Sequence, residues 1–336
     1  MQAEVATRMR EPAAVPAIAP ERAPRLRLVI LAAILLVAVA AFLFLMVRGS
    51  YSFTVPRRAT MVGAMAVAAF AQGVGTVVFH TVTQNRILTP SIMGFDSMYV
   101  LMQTLLVWFF GGAAIAATDG LPKLLAQTVL MVVLATLLYR WLFSGRFASL
   151  YLLLLVGVVL GMAFDSVATF MQRLLDPTDY DMLSVRLFGR LSAVDGTYLP
   201  LAFAVCGAIG IILWRRRYVL DALLLGRESA TSIGVAYKRE LTLMLILIAV
   251  LVAFSTALVG PMTFFGFMVA SIAYQVAGSH RHAFVMPMAF LLGMLTLVAG
   301  QFLLQHVFYA AGFLTVIIEF VGGGLFLFLL LRKGKL

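Results

Sequence analysis

Apolar runs of about 20 residues follow one another along almost the whole chain, each bounded by a short polar or basic connection. A helix rises 1.5 Å per residue, so such a run crosses the roughly 30 Å hydrocarbon core of a bilayer. Hydrocarbon offers no partner to an unpaired backbone amide, which limits spanning segments to helices and closed barrels. Barrel strands are short and alternate in polarity, whereas these runs are continuous, so the chain predicts an all-α integral membrane protein. Composition agrees: 63% of the 336 residues are hydrophobic, 12% are charged and the mean hydropathy is +1.04, values a water-soluble surface could not carry.

About ten transmembrane helices are expected, at 28–47, 59–82, 98–117, 124–143, 148–170, 198–214, 241–259, 262–277, 283–304 and 313–331. An even number places both termini on one side, and basic residues favour the cytoplasm. With the N-terminus inside, 18 of the 25 lysines and arginines are cytoplasmic; Arg48, Arg57, Arg58, Lys123, Arg173, Arg186 and Arg190 fall outside. Trp141 and Trp214 then close cytoplasmic helix ends as interfacial anchors. Residues 1–27, with five arginines among alanines and prolines, predict a disordered basic cytoplasmic tail ahead of a single membrane domain at 28–335. The run 28–47 is too long for a signal-peptide core, and no small-residue cleavage site follows it. Glycines in the second segment (Gly63, Gly73, Gly75) and the GxxxG pair Gly157 and Gly161 in the fifth allow close helix approach, so both segments are expected near the centre.

Several chemistries are excluded. The basic residues are dispersed between apolar runs, which argues against nucleic acid. No HExxH, GxSxG or GxxxxGK[ST] occurs, so neither a hydrolase site nor a phosphate cradle is present, and ATP-driven work would need a partner. The lone Cys206 excludes a disulfide within the chain. His280 and His282 flank Arg281 in a predicted cytoplasmic turn that reads as a headgroup-facing basic loop, and no metal site or cofactor is assigned. Asp165 and Glu319 lie within spans, where a charge costs about 2.5–3.5 kcal/mol and belongs against a cavity, a partner or a packed polar contact. The outer loop at 173–190 turns amphipathic and predicts a short interfacial helix.

The longest cytoplasmic connection, 215–240, is too polar to span and too apolar for a plain solvated loop. Leu223, Leu224, Ala230 and Ile233 could form an apolar face on short helices broken at Gly226 and Gly234, suited to a groove on another protein or to the membrane surface.

Leu225, Gly226, Glu228, Ala230, Gly234 and Val235 match the LxLGxExAxxLGV pattern of the vitamin B12 and ferric-siderophore permease family, and this segment resembles that family's coupling loop. Three further blocks are similar in the same order. Val55-Pro56-Arg57-Arg58 resembles its LPR segment. Gln84 to Gly94 resembles NPLAxPxxLG, keeping Asn85, Pro90 and Gly94, and Gly260-Pro261 with Phe264-Phe265-Gly266 resembles GPIxFxG. Three places depart: Arg86 replaces the proline after the asparagine, His80 stands where glutamine is common, and Gly312-Phe313-Leu314-Thr315-Val316 replaces an ELPIG-like segment before the last helix. The form TPSIMGFDSMYVL resembles the ferric catecholate branch, in which two different permease chains pair.

The resemblance implies a permease subunit of an ATP-driven importer. An ATPase dimer would grip the coupling loop, a second permease would complete the pathway, and an extracytoplasmic siderophore-binding protein would dock at Arg57 and Arg58. His80, Asn85, Pro90, Gly94, Asp165 and Glu319 would serve the pathway or its packing. Iron would travel as a chelate, with ATP bound by the partner. The chain would be no enzyme on its own, and the setting is the bacterial inner membrane. The rival readings are a proton-coupled transporter working through Asp165 and Glu319, and a permease for cobalamin, haem or a free metal ion.

Overall fold

The computed structural model describes residues 22–47, 49–117, 120–144, 150–188, 191, 194–308 and 314–333. Helix α1 (Arg22–Phe44) leads into a helical rod, Tyr51–Thr83, built of α2 (Tyr51–Ala68), a π-helical turn (Ala69–Val74) and α3 (Gly75–Thr83). A 3-10 turn (Ser91–Met93) precedes α4 (Phe95–Phe110), then α5 (Gly112–Ala117), α6 (Leu121–Ser144), α7 (Leu150–Gln172) and α8 (Pro177–Leu187). After a second 3-10 turn (Gly196–Tyr198) come α9 (Leu199–Arg215), α10 (Arg217–Leu223), α11 (Arg227–Ser232), α12 (Tyr237–Val259), α13 (Phe265–Ala277), α14 (His282–His306) and α15 (Leu314–Lys333).

Each of the ten predicted apolar segments falls on helix. Among the described residues, six helical stretches are long and apolar enough to cross a membrane, and the apolar parts of α4, α6, α13 and α15 are shorter. Three boundaries move. Helix α1 starts at Arg22, so the last residues of the expected tail are helical; residues 1–21 lie outside the described ones, as do Arg48, Arg146, Arg190 and the Trp141 side chain. Helix α2 starts at Tyr51, ahead of the expected 59, and carries Pro56 inside it. The segment 98–117 is broken at Gly111, whose φ of +77° turns the chain between α4 and α5. The expected amphipathic helix is α8; it packs Leu183 against Val107 of α4, and Asp179 accepts the Gly112 N–H at 2.9 Å, a carboxylate at the N-terminus of α5.

Small residues decide what sits in the middle. Within the rod Tyr51–Thr83, 78% of the most apolar stretch is buried against α12, α13 and α14. A Cβ at Gly73 would stand 3.2 Å from the Ala289 carbonyl, and one at Gly293 would stand 3.1 Å from Ala69 Cβ. The expectation for the GxxxG helix is corrected: only 17% of the matching stretch of α7 is buried, so α7 is peripheral. Its glycines serve one contact. Gly94, at φ +97°, lies so close that a Cβ there would sit 3.0 Å from Gly161 Cα and 3.2 Å from the Gly157 carbonyl.

Gly94→Ala therefore combines left-handed strain of about 1–2 kcal/mol with a backbone clash. Gly111→Ala carries the strain alone, because nothing lies within 4 Å of its Cβ position. Denaturant unfolding in detergent micelles should show the larger loss at Gly94.

Candidate functional site

The segment between α9 and α12 folds as two short helices. Gly226 (φ +86°) ends the turn after α10 and Gly234 (φ +89°) ends α11, conformations in which a side chain would be strained. Ala230 N–H donates to the Gly226 carbonyl at 3.0 Å, and Val235 N–H donates to Ala230 O at 3.0 Å. Arg216 and Glu240 pair across the base of the loop. The apolar face differs from expectation: Leu220, Leu223 and Ala230 are buried against the chain's own core, while Leu225 and Ile233, each 62% exposed, point outward beside exposed Glu228. Inward leucines anchor the pair of helices, leaving the outward residues for a partner.

A hydrogen-bond chain ties this loop to the core. His282, only 1% exposed, donates its backbone N–H (2.8 Å) and its Nδ1–H (2.7 Å) to Asp221 of α10, and its Nε2 meets the Thr81 hydroxyl of α3 at 2.7 Å. Gln84 Nε2 donates to the carbonyls of Leu223 (2.8 Å) and Thr81 (2.9 Å). His282 is therefore an internal strut and not a headgroup-facing residue; spacing alone could not reveal it, because Asp221 lies 61 residues away. Burial pushes the Asp221 carboxyl upward, but the two hydrogen bonds and the charge of His282 outweigh it, and its pKa falls below the usual 3.8.

Beside this strut opens a cavity of about 640 Å³. His80 and Gln84 of the rod's end and Arg86 of the following turn form one wall. Tyr218, Asp221 and Leu224 of α10 and its C-cap form another, with His280 and Arg281 completing it. The His80 ring stacks on Tyr274, centroids 6.1 Å apart. Asn85 and Pro90 shape the turn instead of lining the cavity: Asn85 Oδ1 accepts the Ile87 N–H at 2.9 Å, and the Pro90 carbonyl accepts the Met93 N–H at 3.0 Å. Deeper in the rod, Gln72 Nε2 and Thr76 Oγ1 are buried without hydrogen-bond partners.

At the opposite end, Arg57 is exposed but Arg58 is 8% exposed. Its Nη1 donates to the carbonyls of Phe42 (2.7 Å) and Leu45 (2.8 Å), and its Nη2 to Met46 O (3.3 Å) and His306 Nε2 (3.0 Å). It thus caps the C-terminus of α1, where Met46 adopts φ +51°, and joins that end to α14. Arg58 is withdrawn from the docking role that sequence suggested for it, because every one of its Nη hydrogens is spent on the chain's own acceptors.

The acids in the spans do not stand alone. Ser97 donates to Asp165 Oδ2 at 2.8 Å, and Thr263 donates to Asp96 Oδ2 at 2.8 Å while its backbone lies against Glu319. Asp96 is 7% exposed and its Oδ1 has no partner. Sequence reading missed it because it began the third helix at residue 98, leaving Asp96 outside a span. Among the described residues no His, Cys, Asp and Glu group could hold a metal ion.

A helical membrane bundle that presents two short helices at one end, strutted to its core, has the architecture that the resemblance to ATP-driven permeases implies. The FecCD transport family profile matches residues 27–332, and the chain belongs to that family. It is 42% identical over 287 residues to the petrobactin import system permease protein FatC of Bacillus anthracis, covering 85% of this chain and 81% of that one. It is 35% identical to the petrobactin import system permease protein YclO of Bacillus subtilis, over 93% and 98% of the two chains. A solved metal-chelate type ABC transporter in an inward-facing conformation shares the fold at a TM-score of 0.77 and 19% identity, covering 92% of this chain and 99% of that one. The chain is accordingly a multi-pass permease subunit of an ATP-binding-cassette importer, a transport component and not itself an enzyme.

Asp221→Asn should cost about 1.5–3 kcal/mol in detergent unfolding, the worth of hydrogen bonds to a charged group. The contribution of Asp221 is present above the ordinary carboxylate pKa of 3.8 and is lost as pH falls through its lower folded value, so wild type and variant should converge only below pH 3.8. Arg58→Ala should lose about 3 kcal/mol, and Arg58→Lys should recover little of it, since an ammonium cannot span three carbonyls and an imidazole. Thermal melts of the two variants would check this.

Proposed function

We propose that this chain imports a ferric siderophore of the petrobactin class across a bacterial inner membrane, with ten spans and both termini cytoplasmic. The observation that carries the reading is the joint match to two petrobactin import permeases over 81% and 98% of their lengths. The ATPase dimer grips the outward face of α10 and α11, where Leu225, Glu228 and Ile233 are exposed around Gly226 and Gly234.

The second permease is a homologous, non-identical chain. FatD of Bacillus anthracis, a petrobactin import permease like FatC, is also a relative, 24% identical over 277 residues, which supports a mixed pair. An exposed Asp165 among exposed Met162, Ser166 and Val167 supports a covered face there, since a carboxylate facing lipid is costly by about 2.5–3.5 kcal/mol. An extracytoplasmic binding protein docks at the other end, with Arg57 free to meet acidic residues. Iron stays within its chelate.

Uptake of radioiron-labelled ferric petrobactin by cells carrying wild type, a deletion, or the Gly226→Asp, Glu228→Arg double variant at matched membrane levels tests this. The double variant should fall to the deletion level. Normal uptake by that variant, with loss on Asp165→Asn and Glu319→Gln, would replace this reading with proton coupling.

A further inference from the structure

Near the end of the bundle that carries α10, a further cavity of about 270 Å³ lies between the rod, α9 and α14. Its wall is apolar: Phe70 and Val74 of the π-helical turn, Leu213 and Trp214 of α9, and Pro287 and Phe290 of α14. Phe70 and Phe290 meet edge to face with centroids 6.3 Å apart, and a Cβ at Gly210 would stand 3.1 Å from the Phe70 ring, so the glycine lets α9 approach that pair. Such a wall offers water no partners, so an occupant must be apolar. The stretch Gly196–Arg215 is apolar enough to span a membrane and only 22% of it is buried, with Ile211, Ile212 and Trp214 exposed beside the cavity. The neighbouring medium is therefore hydrocarbon, which supplies acyl chains.

The charge next to Trp214 selects the head that such a chain carries. Arg215 is exposed, Arg217 is half-buried, and neither forms an ion pair among the described residues. The nearby acids are engaged elsewhere, Glu240 by Arg216 and Asp221 by His282. Arg217 stacks over the same Trp214 ring that walls the cavity, 4.9 Å from its centroid, and over Tyr218 at 4.4 Å. Its Nη1 donates to the Trp214 carbonyl (2.9 Å) and its Nη2 to the Tyr218 hydroxyl (3.1 Å), which fixes the guanidinium plane and leaves further N–H groups for an oxyanion. Two guanidiniums at an interfacial tryptophan, adjoining an apolar slot, match a phosphodiester joined to an acyl tail.

From this arrangement we propose that Arg215, Arg217 and the cavity form a site for one anionic phospholipid, with its phosphate at the arginines and an acyl chain against Phe70, Val74 and Phe290. The chain packs on the π-helical turn, so the lipid acts on the central rod. The site is independent of which chelate is carried.

The test uses the full chain with its partner subunits, stripped of lipid in a nonionic detergent and titrated with phosphatidylglycerol or phosphatidylcholine of identical chains. Native mass spectrometry counts the lipid retained by this subunit. Wild type should retain one phosphatidylglycerol at about a tenfold lower concentration than phosphatidylcholine requires. Arg215→Gln with Arg217→Gln should remove that preference and keep the ATPase subunit bound, and phosphatidylglycerol should raise the melting temperature of wild type more than that of the double variant. Glycerophosphoglycerol, the headgroup without chains, should not displace the retained lipid. Equal retention of both lipids by wild type, or an unchanged preference in the double variant, would overturn the proposal. Displacement by the chainless headgroup would overturn it as well, by removing the cavity from the site. So would loss of the ATPase subunit from the double variant, which would assign the arginines to that docking surface.

Discussion

Hydrocarbon cannot hydrogen-bond, and the architecture follows from where this chain puts its polar groups under that constraint. Buried threonine hydroxyls turn back onto their own helices: Thr81 donates to Val77 O at 3.1 Å, Thr83 to Phe79 O at 2.8 Å and Thr128 to Leu124 O at 2.8 Å. Arginines are used at helix ends. Arg58 caps α1 at one end of the bundle, and Arg27 donates to Val276 O at 3.0 Å near the end of α13 at the other. With the backbone satisfied internally, association of the helices depends on close van der Waals approach, which the alanines and glycines of the rod Tyr51–Thr83 permit.

The exceptions to this economy cluster in the middle of the rod. The rod contains a π-helical turn at Ala69–Val74, and next to it Gln72 and Thr76 are buried without partners. Such turns loosen a helix and recur at functional positions. The same rod ends at Thr81 and Gln84, which hold His282 and α10. Asp221, His282 and Thr81 thus link α10 to the rod at the centre of the bundle by direct hydrogen bonds. That strut joins three elements distant in sequence, so a shift in one must be matched by the others.

Charge placement separates the roles of the two ends. At one, Arg58 is neutralised by carbonyl dipoles, leaving Arg57 to face outward. At the other, Arg86, Arg281 and His280 line an open cavity together with Asp221, whose carboxylate accepts two hydrogen bonds from His282. Two arginines adjacent in sequence thus have unrelated duties, decided by which one points into the α1–α14 junction.

Helix content, the apolar segments and the glycine turns between α9 and α12 were legible in the sequence, because each depends on local facts: run length against bilayer thickness, and glycines where the backbone turns left-handed at Gly226 and Gly234. The family likeness was legible for the same reason, being carried by short contiguous blocks. Contacts between distant segments were not. GxxxG in α7 marks a close approach without naming its partner, and only the fold shows it to be Gly94 at the edge instead of the central rod. Likewise Asp96, the strut through His282, and the burial of Arg58 were decided by tertiary structure, since burial and hydrogen-bond geometry arise when segments tens to hundreds of residues apart are packed together.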